Sequence, residues 1–433
     1  MASFKIIGGK ELSGTIQPQG AKNEALQIIS ATLLTKKKII IKNIPSIIDV
    51  MYLIDILKGL GVKVEKIKKN TYSFEAENID LNYLKSIEFK QLSQKIRGSI
   101  MIAGPLLGRF GSARIHTPGG DKIGRRRLDT HLVGLSQLNV KFKLINNQTY
   151  QAEAKALKGN YILLEEASVT GTANIIMTAV LAKGTTTIYN AACEPYIQQL
   201  CKMLTSMGSN IKGIGSNLIT IKGVKKLSGC KHTVLPDMIE IGSWIGLAAM
   251  TKSKIRIKNV SLKNLGPILN VFKKIGIKLS TDKNDIIVNK QKTYTIDTFI
   301  NGSTLTISDA PWPGFTPDLL SIIIVTATQA NGNILVHQKM FESRLFFVDK
   351  LIEMGAKIIL CDPHRAAITG INREYELRGT VMTSPDIRAG ISLLIAALSA
   401  KGTSIIHNIE QIDRGYENID GRLKQLGAKI ERI

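Results

Sequence analysis

Thr117–Arg127 reads TPGGDKIGRRR and gathers more potential chemistry than any other stretch of the chain. Pro118, Gly119 and Gly120 forbid regular secondary structure and open the left-handed region of backbone space. A single carboxylate, Asp121, follows, and Lys122, Arg125, Arg126 and Arg127 place four cations within six residues. A lone acid on a glycine-rich loop beside a dense anion trap suits proton transfer to a substrate carrying phosphate or carboxylate. Taken alone, the same run also reads as a solvated basic loop.

Other residues share this chemistry. Ser308–Asp318 (SDAPWPGFTPD) builds a stiff turn that ends on Asp318 at the lip of an apolar helix. Its carboxylate there is an oriented base or hydroxyl anchor, or an ordinary N-cap. Gly20-Ala21-Lys22-Asn23 opens another apolar helix and sets a cation beside free backbone N–H groups. Arg97 stands at the front of a third. Ser168-Val169-Thr170-Gly171-Thr172 is a small-residue turn whose N–H groups and hydroxyls suit a phosphate. Asp129 and His131 form a candidate pair, either structural or catalytic. Asp237 and Glu240 read as partners of a helix dipole. Phe341–Arg344, Asp386–Arg388 and Asp413–Glu417 each set an acid near an arginine, and local ion pairing explains each singly. As a set, equivalent junctions put Lys22, Arg97, Arg126, Arg344, Arg388 and Arg414 where two domains could converge. No P-loop, dinucleotide fingerprint, zinc spacing or Ser-His-Asp order is present in the sequence.

A repeat supplies those junctions. Six times an apolar, helix-like stretch ends in a short signature and enters a strand. The signature positions are Gly61, Asn139, Gly208, Gly276, Gly355 and Gly427, spaced 68 to 79 residues apart. Gly or Asn there suits a left-handed helix cap. Upstream, Ala179–Ile188, Thr326–Leu335 and Ala396–Ile405 each carry an apolar helix through a polar turn into an alternating strand. Units that cannot bury their faces alone must share cores. Two cores of three units each follow, giving two similar α/β domains with a cleft between them.

Composition bounds the rest. At 433 residues, 44% hydrophobic and 5% aromatic, the chain supports two aliphatic cores. Leu319–Ala327 and Ile391–Ala400 are too short to span a bilayer, and the N-terminal residues hold no apolar run of signal-peptide length. Cys193, Cys201, Cys230 and Cys361 lack metal-ligand spacing, so reduced thiols and a cytoplasmic location are expected, with no membrane association. The formal charge of +24 is mostly scattered lysine. The 15 arginines are the sharper sign, because a guanidinium fork binds phosphate or carboxylate in two places.

Gly20–Asn23, Arg97, the Pro118–Arg126 loop, Pro313–Asp318 and Asp413–Glu417 together resemble the UDP-N-acetylglucosamine 1-carboxyvinyltransferases of the enolpyruvyl transferase family, collinearly over the whole chain. The sister family, 5-enolpyruvylshikimate-3-phosphate synthase, fits these loops less well. The resemblance implies an α/β fold, a two-domain inside-out barrel, with domains over 22–235 and over 1–21 with 236–433, and the active site between them. It implies transfer of the enolpyruvyl group of phosphoenolpyruvate to the 3′-hydroxyl of UDP-N-acetylglucosamine through a tetrahedral ketal, with release of phosphate. No metal or organic cofactor is implied, and the oligomeric state is left open. Lys22, Asn23, Arg126, Arg388 and Arg414 would hold phosphoenolpyruvate. Arg97, Arg126, Arg127, Leu128, Asp129, Thr130, Ser168, Val169, Asp318 and Met340 would line the nucleotide-sugar site. Asp318 would orient the 3′-hydroxyl or take its proton, and Asp121 would protonate the methylene carbon. Because the two acids fall in different domains, closure is expected to precede chemistry.

The chain departs from the family where most members carry Cys and this one has Asp121. Glu166 stands where Lys is usual, Met101 where Trp is common, and Thr316-Pro317 reverses the usual order. A free thiol titrates near about 8.5 and a free Asp carboxyl near about 3.9, so donation from an acid is expected only in a closed, dry complex. Epoxides such as fosfomycin, which alkylate the loop Cys in the family, are expected to find no target. Three alternatives remain: transfer to shikimate 3-phosphate, a catalytically inactive paralogue, and a basic nucleic-acid-binding repeat protein. The shortage of stacking aromatics counts against the last, so no nucleic-acid partner is expected.

Overall fold

The computed structural model describes residues 2–121, 123–124 and 127–433. Lys122, Arg125 and Arg126 of the basic loop therefore lie outside the described residues. The chain divides into two compact units. The terminal unit comprises Met1–Gln19, Asp121–Arg126 and Pro236–Ile433, and the inner unit comprises Gly20–Gly120 and Arg127–Leu235. Asp121 thus belongs with the terminal unit, although the chain on both sides of its loop belongs to the inner one. Asp121 and Asp318 therefore share a unit, and the expectation that they fall in different domains is not met.

Among the described residues the strands form six sheets, three in each unit. Five have four strands and one has three, so the sixfold signature in the sequence is one sheet per repeat. The strand after each signature is an edge strand, as in Lys63–Lys68 and Lys357–Asp362. All six signature residues adopt the left-handed conformation, with φ between 73° at Asn139 and 104° at Gly355. A side chain with a Cβ is strained there, so Gly or Asn is a requirement of the turn.

The sixth repeat is completed from the other end of the chain. Ser3–Ile7 inserts antiparallel between Thr403–His407 and Lys429–Arg432, pairing Phe4 with Ile406 on one side and Arg432 on the other. It supplies the strand that repeats one to five take from downstream sequence. Four of the central strands are followed within two residues by an asparagine with positive φ: Asn43, Asn190, Asn259 and Asn408. Three of them donate to the carbonyl just past, or just at the end of, the parallel edge strand: Val234, Leu164 and Ser384.

Each unit is centred on three helices. The inner unit holds α1 (Lys22–Ala31), α2 (Ala103–Phe110) and α3 (Val169–Ala179). The terminal unit holds α4 (Met238–Met250), α5 (Leu320–Ala327) and α6 (Ile387–Ser399). Every residue of α4 and α5 is buried, which explains why these stretches read as apolar all round. The helices ahead of the signatures, such as Pro195–Ser206, bury one face only. No helix among the described residues is long and apolar enough to cross a membrane.

Close approach of α2 and α3 needs Gly104. A Cβ there would meet the Asn174 carbonyl oxygen at 2.5 Å. The Asn174 side chain fills the junction: its Oδ1 accepts from Gly104 N–H at 2.8 Å and its Nδ2 donates to Ile100 C=O at 2.9 Å. Buried polar groups survive only when satisfied in this way.

Candidate active site

The three helices of the terminal unit start on acids. Asp237 and Asp386 are true N-caps, Asp237 accepting from Ile239 N–H and Asp386 from Arg388 and Ala389 N–H. Asp318 differs. It sits in the 3-10 turn Pro317–Leu319 that leads into α5, and its carboxylate is spent on two guanidiniums. Oδ1 lies 2.7 Å from Arg344 Nη1 and Oδ2 lies 3.0 Å from Arg388 Nη2. Burial opposes the Asp318 charge, but Arg388 and Arg344 outweigh burial and hold the carboxyl well below the usual carboxylate range.

Arg388 and Arg344 are themselves fixed. Arg388 donates to Tyr416 Oη at 3.4 Å, Tyr416 lies 2.8 Å from Ser243 Oγ, and Ser243 donates to Ile239 C=O. Because Ser243 donates onward, Tyr416 must donate to it, and the chain of hydrogen bonds has one direction. Burial pushes the Tyr416 hydroxyl up to about 12, so it keeps its proton. The Arg344 guanidinium stacks on Phe341 at 4.6 Å and donates to Pro317 C=O.

Asp121 lies on the same unit, against Arg414. Oδ1 accepts from Arg414 Nη1 at 2.6 Å, and the same Nη1 donates to Gln411 Oε1 at 2.8 Å. The side chains of both Asp121 and Arg414 are largely buried. Burial raises the pKa of Asp386, and the nearby charge of Asp121 adds to that rise. Asp121, Arg414, Asp386, Arg344, Asp318 and Arg388 therefore form one charged cluster. Met340 stands at its margin with an exposed side chain, its N–H held at 3.2 Å by the buried carboxylate of Asp309.

The local acid–arginine pairs read from the sequence form differently. Arg388 bonds Asp318 through its side chain while Asp386 caps the helix, Arg344 bonds Asp318 in place of Glu342, and Asp413 makes a double contact with Arg432. Tertiary contacts replace sequence neighbours because the repeat brings equivalent junctions together.

In the inner unit, Lys22 is the first residue of α1 and its Nζ lies 2.6 Å from Asp49 Oδ2, both nearly buried. Asn23 beside it is half-buried. Arg97 opens the 3-10 turn Arg97–Ile102 ahead of α2 and donates from Nη2 to the Arg127 carbonyl at 3.1 Å, tying that end of the basic loop down. Arg126 lies outside the described residues. Leu128 and Val169 pack against the core, whereas the side chains of Arg127 and Asp129 are exposed.

Thr130 donates to Glu166 Oε1 at 2.9 Å, so the acid in the unusual place has a local partner. Ser168 caps α3 by accepting from Gly171 N–H. Thr170 is bonded to His131, and buried Thr172 accepts from Ala192 N–H, so these hydroxyls serve the fold. His131 pairs with neither Asp129 nor solvent. Asn174 Nδ2 donates to its Nδ1 at 2.9 Å, which leaves the proton on Nε2 for Thr170 at 3.0 Å. Burial and then the charge of Arg97 lower its pKa to about 3.

The arrangement can hold anions on fixed guanidiniums and present two carboxylates in different environments. Whole-chain likeness then assigns the family. Residues 6–423 match the family model described as EPSP synthase (3-phosphoshikimate 1-carboxyvinyltransferase). The chain is 63% identical to a UDP-N-acetylglucosamine 1-carboxyvinyltransferase from Bacteroides thetaiotaomicron and 60% identical to one from Porphyromonas gingivalis, each covering 100% of both chains. The chain belongs to the UDP-N-acetylglucosamine 1-carboxyvinyltransferase family. Solved structures share the fold at low identity. The enolpyruvyl transferase NikO from Streptomyces tendae superposes with a TM-score of 0.86 at 20% identity, covering 100% of this chain and 98% of that one. An EPSP synthase from Acinetobacter baumannii gives 0.73 at 16%, with 100% of both covered. The enolpyruvyl transferase fold expected from the sequence is thereby established.

The sequence assigned no role to Asp49, Asp309, Gln411, Tyr416 or Ser243, although Asp309 and Tyr416 lie within the Ser308–Asp318 and Asp413–Glu417 stretches. Asp49 left a faint signal, an acid in the first turn of the helix Ile48–Gly59. Gln411 and Ser243 left none, since a neutral polar residue on a helix has many ordinary uses.

Proposed function

We propose that this chain transfers the enolpyruvyl group of phosphoenolpyruvate to the 3′-hydroxyl of UDP-N-acetylglucosamine and releases phosphate, the first committed step of peptidoglycan synthesis, in the cytoplasm. The observation that carries the reading is the 60–63% identity, end to end, to enzymes of that name. The charged cluster supplies a matching chemistry.

In the addition step, the 3′-hydroxyl gives up its proton and its oxygen bonds to C2 of phosphoenolpyruvate while the C2=C3 double bond opens and C3 takes a proton, giving a tetrahedral ketal. In the elimination step, C3 loses a proton, the double bond reforms and the C2–O bond to phosphate breaks. Asp121 is the acid for C3. Lys22, Asn23, Arg126, Arg388 and Arg414 hold phosphoenolpyruvate, and Arg97, residues 126–130, Ser168, Val169, Asp318 and Met340 line the nucleotide-sugar site. Gripped by two guanidiniums, Asp318 is a good hydrogen-bond acceptor but a weak base, so orienting the 3′-hydroxyl is its first role. It becomes a better proton acceptor once substrate anions draw Arg388 or Arg344 away. The two units serve as the two three-repeat domains, and both contribute residues to this one reaction.

Phosphate release, measured with phosphoenolpyruvate plus either UDP-N-acetylglucosamine or shikimate 3-phosphate, tests the reading. Turnover with the sugar nucleotide alone is expected. Turnover with shikimate 3-phosphate alone would overturn it.

A further inference from the structure

Arg414 is the C-cap of a short helical turn, Glu410–Asp413, which is firmly held. Ile412 is fully buried, Asp413 grips Arg432 through both oxygens, and Glu410 accepts from Ala2 N–H. The Arg414 side chain is long, and fixing it costs rotamer entropy. Gln411, three residues earlier on the same turn, is one of the groups that aim it. The guanidinium only donates, so the Gln411 atom facing Nη1 at 2.8 Å must be the amide oxygen. Nη1 carries two hydrogens. One goes to Gln411, and the second goes to Asp121 at 2.6 Å.

The two acceptors differ in charge. Asp121 offers a carboxylate, the kind of group a substrate anion can replace. Gln411 offers a neutral oxygen, which aims the guanidinium without neutralising it. We propose that Gln411 is a positioning residue for Arg414, holding one Nη1 hydrogen so that the other can pass from Asp121 to the phosphoenolpyruvate anion. That exchange frees Asp121 at the moment its substrate arrives. The inference rests on the function proposed above and adds a residue to it. A carboxylate at 411 would keep the contact and cancel the charge, whereas a methionine would keep the volume and lose the contact.

Steady-state kinetics of Gln411→Glu and Gln411→Met, with thermal melts of each, test it. Gln411→Glu should melt no lower than wild type and raise the KM for phosphoenolpyruvate by about tenfold or more, leaving the KM for UDP-N-acetylglucosamine within about twofold. Gln411→Met should raise the same KM by roughly threefold to tenfold. A purely structural role predicts the reverse order, because Glu preserves the bond to Arg414. An unchanged phosphoenolpyruvate KM in Gln411→Glu, or equal rises for both substrates, would overturn the proposal. A wild-type protein that releases no phosphate from this substrate pair would instead sink the parent reading.

Discussion

Asp318 and Arg388 meet at 3.0 Å although 70 residues separate them. Their separation matches the repeat, and each stands at the start of a central helix in adjacent repeats. Packing α5 beside α6 therefore turns a sequence period into an ion pair. The same logic puts Asp237 at the start of α4, where its charge adds to the field around Arg388.

Replacing Asp318 by Asn separates binding from orientation. The variant keeps the shape but leaves two largely buried guanidiniums without their shared counter-charge, so stability should fall by roughly 3 kcal/mol in urea unfolding. Turnover should fall at least about a hundredfold in phosphate release. A folded Asp318→Asn enzyme with wild-type kcat would remove Asp318 from the reaction.

The loop acid determines the response to thiol-directed epoxides. Wild-type protein incubated with fosfomycin should show no mass increase at Asp121, and its activity should persist. Asp121→Cys should gain one adduct and lose activity, and Asp121→Ala should be inactive from the start. The alkaline limb of the pH–rate profile should move up in Asp121→Cys, because a thiol keeps its proton to higher pH than a carboxylic acid. An intact-mass adduct on wild-type protein, mapped to the loop, would count against this account.

His131 makes the inner unit acid-sensitive. Its folded pKa, about 3, lies below the ordinary value of 6.5, so the unfolded chain binds the proton first. The stability that depends on neutral His131 is complete above that ordinary value and drains away as pH falls toward the folded one. Between pH 7 and pH 5 the loss is about 2 kcal/mol. His131→Leu should start lower, having lost two hydrogen bonds, yet fall by about 2 kcal/mol less over that interval. Parallel pH dependences in urea unfolding would refute the burial argument.

Asn174→Ala should be among the costliest substitutions in the inner unit. It strands Gly104 N–H and Ile100 C=O inside the α2–α3 contact, and the expected loss is about 3 kcal/mol in chemical denaturation. A loss below about 1 kcal/mol would mean that water replaces the amide there.

Local requirements were legible in the sequence because they are met within a few residues. Gly61 and its five counterparts announce left-handed caps through a steric rule, and their even spacing announces six equal units. The loop around Asp121 declares itself by composition, and Asp318 by the rigid turn before it. Which groups touch could not be read this way. Arg344 and Arg388 each have an acid two residues away, yet both choose Asp318. Asp129 stands two residues from His131, yet that ring is taken by Thr170 and Asn174. Ser3–Ile7 completes a sheet begun some 400 residues later, with Ser3 opposite His407. Short-range sterics act along the chain and leave a periodic mark in it. Ion pairs and buried hydrogen bonds are chosen by distance and desolvation in three dimensions, which only the packed helices and sheets decide.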